Sequence, residues 1–266
     1  MHENPVPYWH SLTTGEVEAL AERDPVVILP LAAVEQHGAH LPLSTDFEIG
    51  MGLLATAFRH LPADLPACVL PPQSLGSSME HARLAGTLSL DPDTLTALIF
   101  DVGSSLAACG VRRLVLSNSH GGNRGVLDDA GLRLREEHDM LVVKASYFRF
   151  SRPEDVELPD GEWRHGLHGG AVETAMMLHL RPDLVRTDEI RETRSLGEEL
   201  EETLRRLSPE GEASFSWLAQ DLSPSGVTGD ARLADVAMGE RLVAHYGRVL
   251  AEVIQDTKDF PLSRLG

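Results

Sequence analysis

Four stretches of the chain read as strands, the first of them a continuous, β-branched apolar run, and segments of helical periodicity separate them. The four are VVILPL (26–31), ACVL (67–70), VRRLVLS (111–117) and LVVKASYF (141–148). A run without polar alternation suits a strand buried on both faces, the condition met in a parallel sheet covered by helices. The intervening segments carry helix signals. Thr13 and Glu16 form a capping-box pattern before the first run, and Thr45 and Glu48 form a second. The helix opened by Thr45 places Phe47, Met51, Leu54 and Phe58 on one stripe. Asp91 and Pro92 suit the N-cap and first position of another, with Leu95, Leu98, Ile99, Val102 and Leu106 as its stripe and Gly110 as its stop. Further helices are expected over 124–138 and over the last 30 or so residues. Strand–helix alternation with short connections implies an α/β fold, a mostly parallel sheet covered on both faces. No composition break marks a linker, so residues 1–266 read as one domain. The polar, proline-containing segment 149–165 suits a lid over a site. Within residues 191–211, the stretch 195–209 reads as an acidic, exposed helical excursion.

Composition narrows the function classes. The formal net charge is −18, with acidic residues spread along the chain, which argues against nucleic-acid binding through phosphates. No apolar run is long enough to span a bilayer, and MHENPVPYWH lacks the charged and apolar regions of a signal peptide, so a cytoplasmic protein with no membrane partner is expected. Cys68 and Cys109 lie outside any metal-binding spacing and in apolar contexts, and are expected to be buried free thiols.

Three polar clusters fall at strand ends or at the helix starts that follow, where α/β sheets place their sites. The first is LAAVEQHGAHLPLSTDFEIG (31–50), which has no Lys or Arg to balance its Glu, His and Asp. In extended chain Glu35 and His37 point the same way and can face one ion. Asp46, at a helix start, can be aimed at the same point. Oxygen and imidazole donors suit Zn²⁺, Mn²⁺ or Fe²⁺. A solvated loop with a helix cap is the plainer reading of the same residues. The second cluster, Asn118-Ser119-His120-Gly121-Gly122-Asn123, offers His120 as a further ligand beside glycines that admit close backbone approach. It lacks the GK[ST] of a phosphate loop. The third, His168-Gly169-Gly170-Ala171-Val172-Glu173, offers a proton-handling imidazole and a carboxylate ligand, or only a helix dipole partner. The loop Gly76-Ser77-Ser78-Met79-Glu80-His81 reads either as pocket lining or as a capped turn.

The segments EQHGAHLPLSTD, SHGGN and HGGAVET, with GSSMEHARLAGTLSL and GVTGDARLADVAMGERL, resemble the signature segments of the creatininase family of metal-dependent amidohydrolases. The resemblance runs from about residue 8 to residue 257. It implies a three-layer α/β/α sandwich, a binuclear metal centre of Zn²⁺ and/or Mn²⁺ (Fe²⁺ being possible) and a homohexamer. By matching positions, Glu35 and His120 would hold one metal, His37 the other, Asp46 would bridge them, and His168 would handle protons. Creatininase itself has a Tyr and a metal-binding Glu directly after the histidine that matches His120, where this chain has Gly121 and Gly122. Glu173 is the expected replacement. Arg164 stands where a pocket tryptophan is expected, which argues against creatinine as the substrate. Ser78, Glu80, Gly121 and Arg164 are the candidate substrate contacts. The expected chemistry is attack of a metal-activated water on an amide or lactam C–N bond of a small molecule, with His168 passing a proton to the leaving nitrogen. The alternatives are opening of a cyclic ketone at a C–C bond, deformylation or peptide trimming, and a non-enzymatic metal-binding protein.

Overall fold

A computed structural model of the chain describes residues 6–265. Residues 1–5, the first half of the N-terminal segment inspected for a signal peptide, and residue 266 lie outside the described residues. The helices in chain order are α1 (Thr14–Ala21), α2 (Thr45–His60), α3 (Pro92–Ala108), α4 (Arg124–His138) and α5 (Asp160–His165). They continue as α6 (Ala171–Leu180), α7 (Leu196–Glu201), α8 (Ala219–Leu222) and α9 (Val236–Asp259). The central sheet has strand order β2-β1-β3-β4, with β1 (Val26–Leu31), β2 (Ala67–Val69), β3 (Arg113–Asn118) and β4 (Leu141–Ser146) all parallel.

Every residue of β1 is buried, so its alternating side chains divide between two helical layers. Val27, Leu29 and Leu31 join Leu95 and Ile99 of α3 and Leu127 and Leu134 of α4 in one core. Val26 and Ile28 join Leu54 and Phe58 of α2 and Leu250 and Ile254 of α9 in the other. The result is the α/β/α sandwich. A third apolar cluster joins Ile49 and Leu53 of α2 to Ala175 and Met176 of α6 and Leu242 and Val243 of α9, which fixes α6 beside the sheet's second layer.

The register sets the site. Leu31 pairs with Asn118, and Asn118 with Ser146, so β1, β3 and β4 end at one level. The chain moves outward from β1 to β2 and from β3 to β4, in opposite directions. The carboxyl ends of β1 and β3 therefore flank the crevice that such a reversal opens.

Several local expectations needed correction. Ser44, not Thr45, is the N-cap of α2, and the Thr45 hydroxyl donates to the Pro42 carbonyl. The buried face of α2 is Ile49, Leu53, Leu54, Ala57 and Phe58; Phe47 and Met51 are only half-buried, because α2 must meet both the sheet and α6. Strand β4 ends at Ser146, and Tyr147 opens a short 3-10 turn. The 195–209 excursion is helical only over Leu196–Glu201, after which Leu207–Ser208 pairs with Ala213–Ser214. Cys68 is buried as expected, but Cys109 is exposed at the C-cap of α3, where the last turn faces outward. Within 149–165, α5 has Glu162 and His165 buried. Among the described residues no helix is long and apolar enough to cross a membrane.

Candidate metal centre

Hydrogen bonds across the sheet's carboxyl edge hold the loops that follow β1 and β3. Ser119 donates to the Leu31 carbonyl from both its backbone N–H (2.9 Å) and its hydroxyl (3.1 Å). Asn118 Nδ2 donates to the His120 carbonyl at 2.7 Å, and Asn118 Oδ1 accepts from the His120 N–H at 3.2 Å. Asn123 Nδ2 donates to the Ala32 carbonyl at 3.2 Å, and its Oδ1 accepts from the Ser77 N–H at 2.9 Å. Buried amides thus lash the His120 loop to the β1 loop and to the loop carrying Ser77, Ser78 and Glu80. Without the Asn123 side chain the Ala32 carbonyl and the Ser77 N–H would lose these bonds, at a cost to the folded state.

These loops and α2 bring Glu35, His37, Asp46 and His120 together, all almost fully buried (0–3% exposed). Asp46 lies between the two histidines: its Oδ2 is 3.1 Å from His120 Nδ1 and its Oδ1 is 3.3 Å from His37 Nε2. Glu35 Oε1 is 3.3 Å from His120 Nδ1, and Glu173 Oε2 is 3.8 Å from His37 Nε2. The far nitrogen of each ring is engaged elsewhere. His120 Nε2 lies 3.0 Å from the Ser77 carbonyl and His37 Nδ1 lies 3.2 Å from the Glu35 carbonyl. A carbonyl only accepts, so it selects the tautomer with the proton on that nitrogen and leaves the other nitrogen's lone pair facing the carboxylates.

The cluster is therefore acceptor facing acceptor. Glu35 Oε2, His37 Nε2 and Asp46 Oδ2 are buried with no hydrogen-bond partner. Its charge balance says the same. Burial pushes His37 down, but Asp46, Glu173 and Glu35 outweigh this and carry it up to about 9. Burial likewise opposes a charge on His120, yet Glu35 and Asp46 raise it well above the usual histidine value. Burial pushes Glu35 up, and His120, His168 and His37 more than reverse that, holding it well below the usual carboxylate range. The site demands positive charge between its carboxylates, which divalent ions supply without asking both imidazoles to be cations. Glu35, His37 and His168, His37, Asp46 and Glu173, and Glu35, Glu80 and His120 are the groups whose ligand atoms lie within 4.8 Å of one another and can hold an ion.

His168 enters from the loop before α6. Its Nε2 donates to the Gln36 carbonyl at 2.6 Å, and its ring lies between those of His37 and His81, each 4.1 Å away between centroids. Burial, with His37 and His81 beside it, holds it well below the usual histidine value. Glu173 sits in the first turn of α6. Its Oε2 accepts from the Gly169 N–H at 2.6 Å, a loop closure that uses Gly169 at φ +66°, and its Oε1 accepts from the Tyr147 hydroxyl at 3.4 Å. Glu162 of α5 anchors the helix from behind. Its buried carboxylate accepts from the Ala171 and Asp230 N–H groups, each at 2.7 Å, among Gly166, Gly170 and Gly229.

The candidate substrate contacts separate. Ser78 is fully buried with its hydroxyl 3.2 Å from His120 Nε2. Glu80 borders the same ring, with Oε1 3.5 Å from Nε2. Gly121 is exposed, and a Cβ there would meet nothing within 4 Å. Arg164 is a correction: its exposed guanidinium pairs with Glu201 at 2.8 Å, so α5 turns it toward the excursion and not toward the cluster. Tyr147, His81 and Glu162 were missed. Tyr147 follows β4 at the same edge as the other clusters, and placing the strand end at 146 would have exposed it. His81, in the loop read either as pocket lining or as a capped turn, lies 3.7 Å from Glu35 Oε1, and burial pushes it down to about 4. Glu162 carries no local signal, because its partners are backbone groups 9 and 68 residues away.

Known proteins share this chain's sequence and fold. Residues 10–254 match the Creatininase family, described as creatinine amidohydrolase. A mycofactocin precursor peptide peptidase of Mycobacterium tuberculosis (strain CDC 1551 / Oshkosh) is 36% identical over 247 residues, spanning 90% of this chain and 88% of that protein. Creatinine amidohydrolase of Pseudomonas putida is 36% identical over 196 residues, 67% of this chain and 74% of that protein. A solved structure of creatininase with manganese superposes with a TM-score of 0.75 at 27% identity, covering 97% of this chain and all of the other.

Proposed function

The chain belongs to the creatininase family, and on that premise we propose that it hydrolyses a peptide C–N bond at a centre holding two divalent ions. The observation that carries the proposal is Asp46, which turns one oxygen to His120 and the other to His37 among buried atoms that have no hydrogen-bond partner. Glu35, His120 and Asp46 would hold one ion, and His37, Asp46 and Glu173 the other. Carboxylate and imidazole donors suit Zn²⁺ or Mn²⁺.

Ions so held supply a water acidified to a pKa of roughly 7 and a polarised carbonyl. The protein's own residues do the rest. The Gln36 carbonyl fixes the His168 ring through Nε2–H, leaving Nδ1, 3.7 Å from Glu35 Oε1, on the cluster side. Kept neutral by its surroundings, His168 is ready to accept the proton of the attacking water and to deliver it to the leaving nitrogen. Tyr147 and the Gly169 N–H aim the Glu173 carboxylate. The peptidase relatives favour a peptide over creatinine as the substrate. The homohexamer is part of the proposal, and a light-scattering mass of six chains would support it.

The test is metal content per chain, by mass spectrometry of untagged protein prepared without chelator, together with turnover of a panel of short peptides, formamides and lactams. Two ions per chain and chelator-sensitive cleavage of peptides support the proposal. Fewer than two ions after reconstitution with Zn²⁺ or Mn²⁺ overturn the two-ion centre. Turnover of only lactams or formamides overturns the peptide assignment.

A further inference from the structure

Position 122 is where the family resemblance expects a metal-binding glutamate and where this chain has glycine. A Cβ at that position would overlap three atoms: the Ser77 carbonyl oxygen, His120 Nε2 and Glu80 Oε1. The space is filled, and one of the groups filling it is a carboxylate from another loop. We propose that Glu80 is a ligand on the His120 side of the metal centre, and that Gly122 is glycine because the Glu80 carboxylate stands in its side-chain space. The inference rests on the two-ion reading above.

Four observations support it. Ligand atoms of Glu80, Glu35 and His120 all lie within 4.8 Å of one another. Glu35, a member of that group and 1% exposed, sets Oε1 3.3 Å from His120 Nδ1 and keeps its other oxygen, Oε2, buried with no hydrogen-bond partner. Glu80 is not needed as the acceptor for His120, because the Ser77 carbonyl at 3.0 Å takes the Nε2–H while Glu80 stands at 3.5 Å. The loop is also held in place: Ser77 N–H donates to Asn123 Oδ1 and Ser78 N–H to Ser89 Oγ, each at 2.9 Å. Glu80 is thus tied, through Asn123, to the loop that carries His120. Glu173 approaches His37 on the other side of Asp46, so the two carboxylates answer to different ions.

The experiment is titration of metal-free protein with Zn²⁺, read by calorimetry and by metal retained after gel filtration. Wild type is expected to bind two ions. Glu80→Gln is expected to bind one as wild type does and the other about 100-fold more weakly or worse, since even outer partners of ligands are worth about 10–100-fold in affinity. Glu80→Asp, which keeps the charge, should recover part of that loss and carries the test if the Gln variant fails to fold. Glu173→Gln should lose the other ion, and the double variant both. Two ions bound by Glu80→Gln within twofold of wild-type affinity would overturn the assignment of Glu80 and leave the two-ion centre standing. Fewer than two ions in wild type would overturn both.

Discussion

The two sides of the proposed metal centre are held by different means. His120 stands at the end of β3 and Glu35 just beyond β1, and Ser119, Asn118 and Asn123 stitch their loops to each other and to the sheet. Glu173 comes instead from the first turn of α6, which meets the centre through a loop closed by Gly169 and a buried carboxylate from α5. Strand ends are placed by a ladder that fixes every neighbour at once. A helix start is placed by a few hydrogen bonds, and those are the bonds a single substitution can remove. The His120 side is therefore a rigid half and the Glu173 side an adjustable one.

The sharpest way to break this comparison is at the residue common to both halves. Asp46→Ala should abolish binding of both ions and bring hydrolysis to background, as read by metal content and turnover. One ion retained at wild-type affinity would show that Asp46 does not bridge. His168→Ala tests the proton path apart from the metal. Turnover should fall by about 10²- to 10⁴-fold with metal content unchanged. Glu173→Gln separates the halves: one ion should be lost while the His120 side binds as before, so calorimetry would show one transition in place of two.

The anchoring of the adjustable half is tested at Glu162. Removing its carboxylate leaves the buried Ala171 N–H and the half-buried Asp230 N–H without that acceptor, at a cost of about 1–3 kcal/mol for the buried one. Glu162→Ala should therefore lower stability in urea unfolding by about that order and weaken metal on the Glu173 side more than on the His120 side. Equal weakening of both would collapse the distinction. The smallest effect belongs to Arg164→Ala. Its ion pair with Glu201 is exposed, so stability should change by about 1 kcal/mol or less, and turnover should stay within about twofold of wild type.

Most of the residues that the fold brings together were legible in the sequence as candidates. Glu35, His37, Asp46, His120, His168 and Glu173 lie in the loops that follow strands or at the helix starts beyond them, and an unbalanced run of acids and imidazoles marks a candidate cation site. Arg164 misled because a match of sequence position says nothing of which way a six-residue helix turns its side chains. Tyr147 was hidden by a strand end placed two residues late. Glu162 was invisible in principle, since its role is made by backbone N–H groups from two distant segments.

By itself, the sequence determined the parallel α/β architecture, through buried runs that need helices on both faces, and it offered Glu35, His37, Asp46, His120 and Glu173 as candidate donors, through their residue types and their resemblance to the family's segments. Tertiary structure alone decided how those donors divide. The common level of the β1, β3 and β4 ends brings three loops to one edge, α2 aims one oxygen of Asp46 at each histidine, and the packing of the Ser77–Glu80 loop against Gly122 puts a carboxylate where the chain has no side chain. Each of these depends on contacts between residues far apart in the chain, whose distances are set by register and packing and not by local spacing.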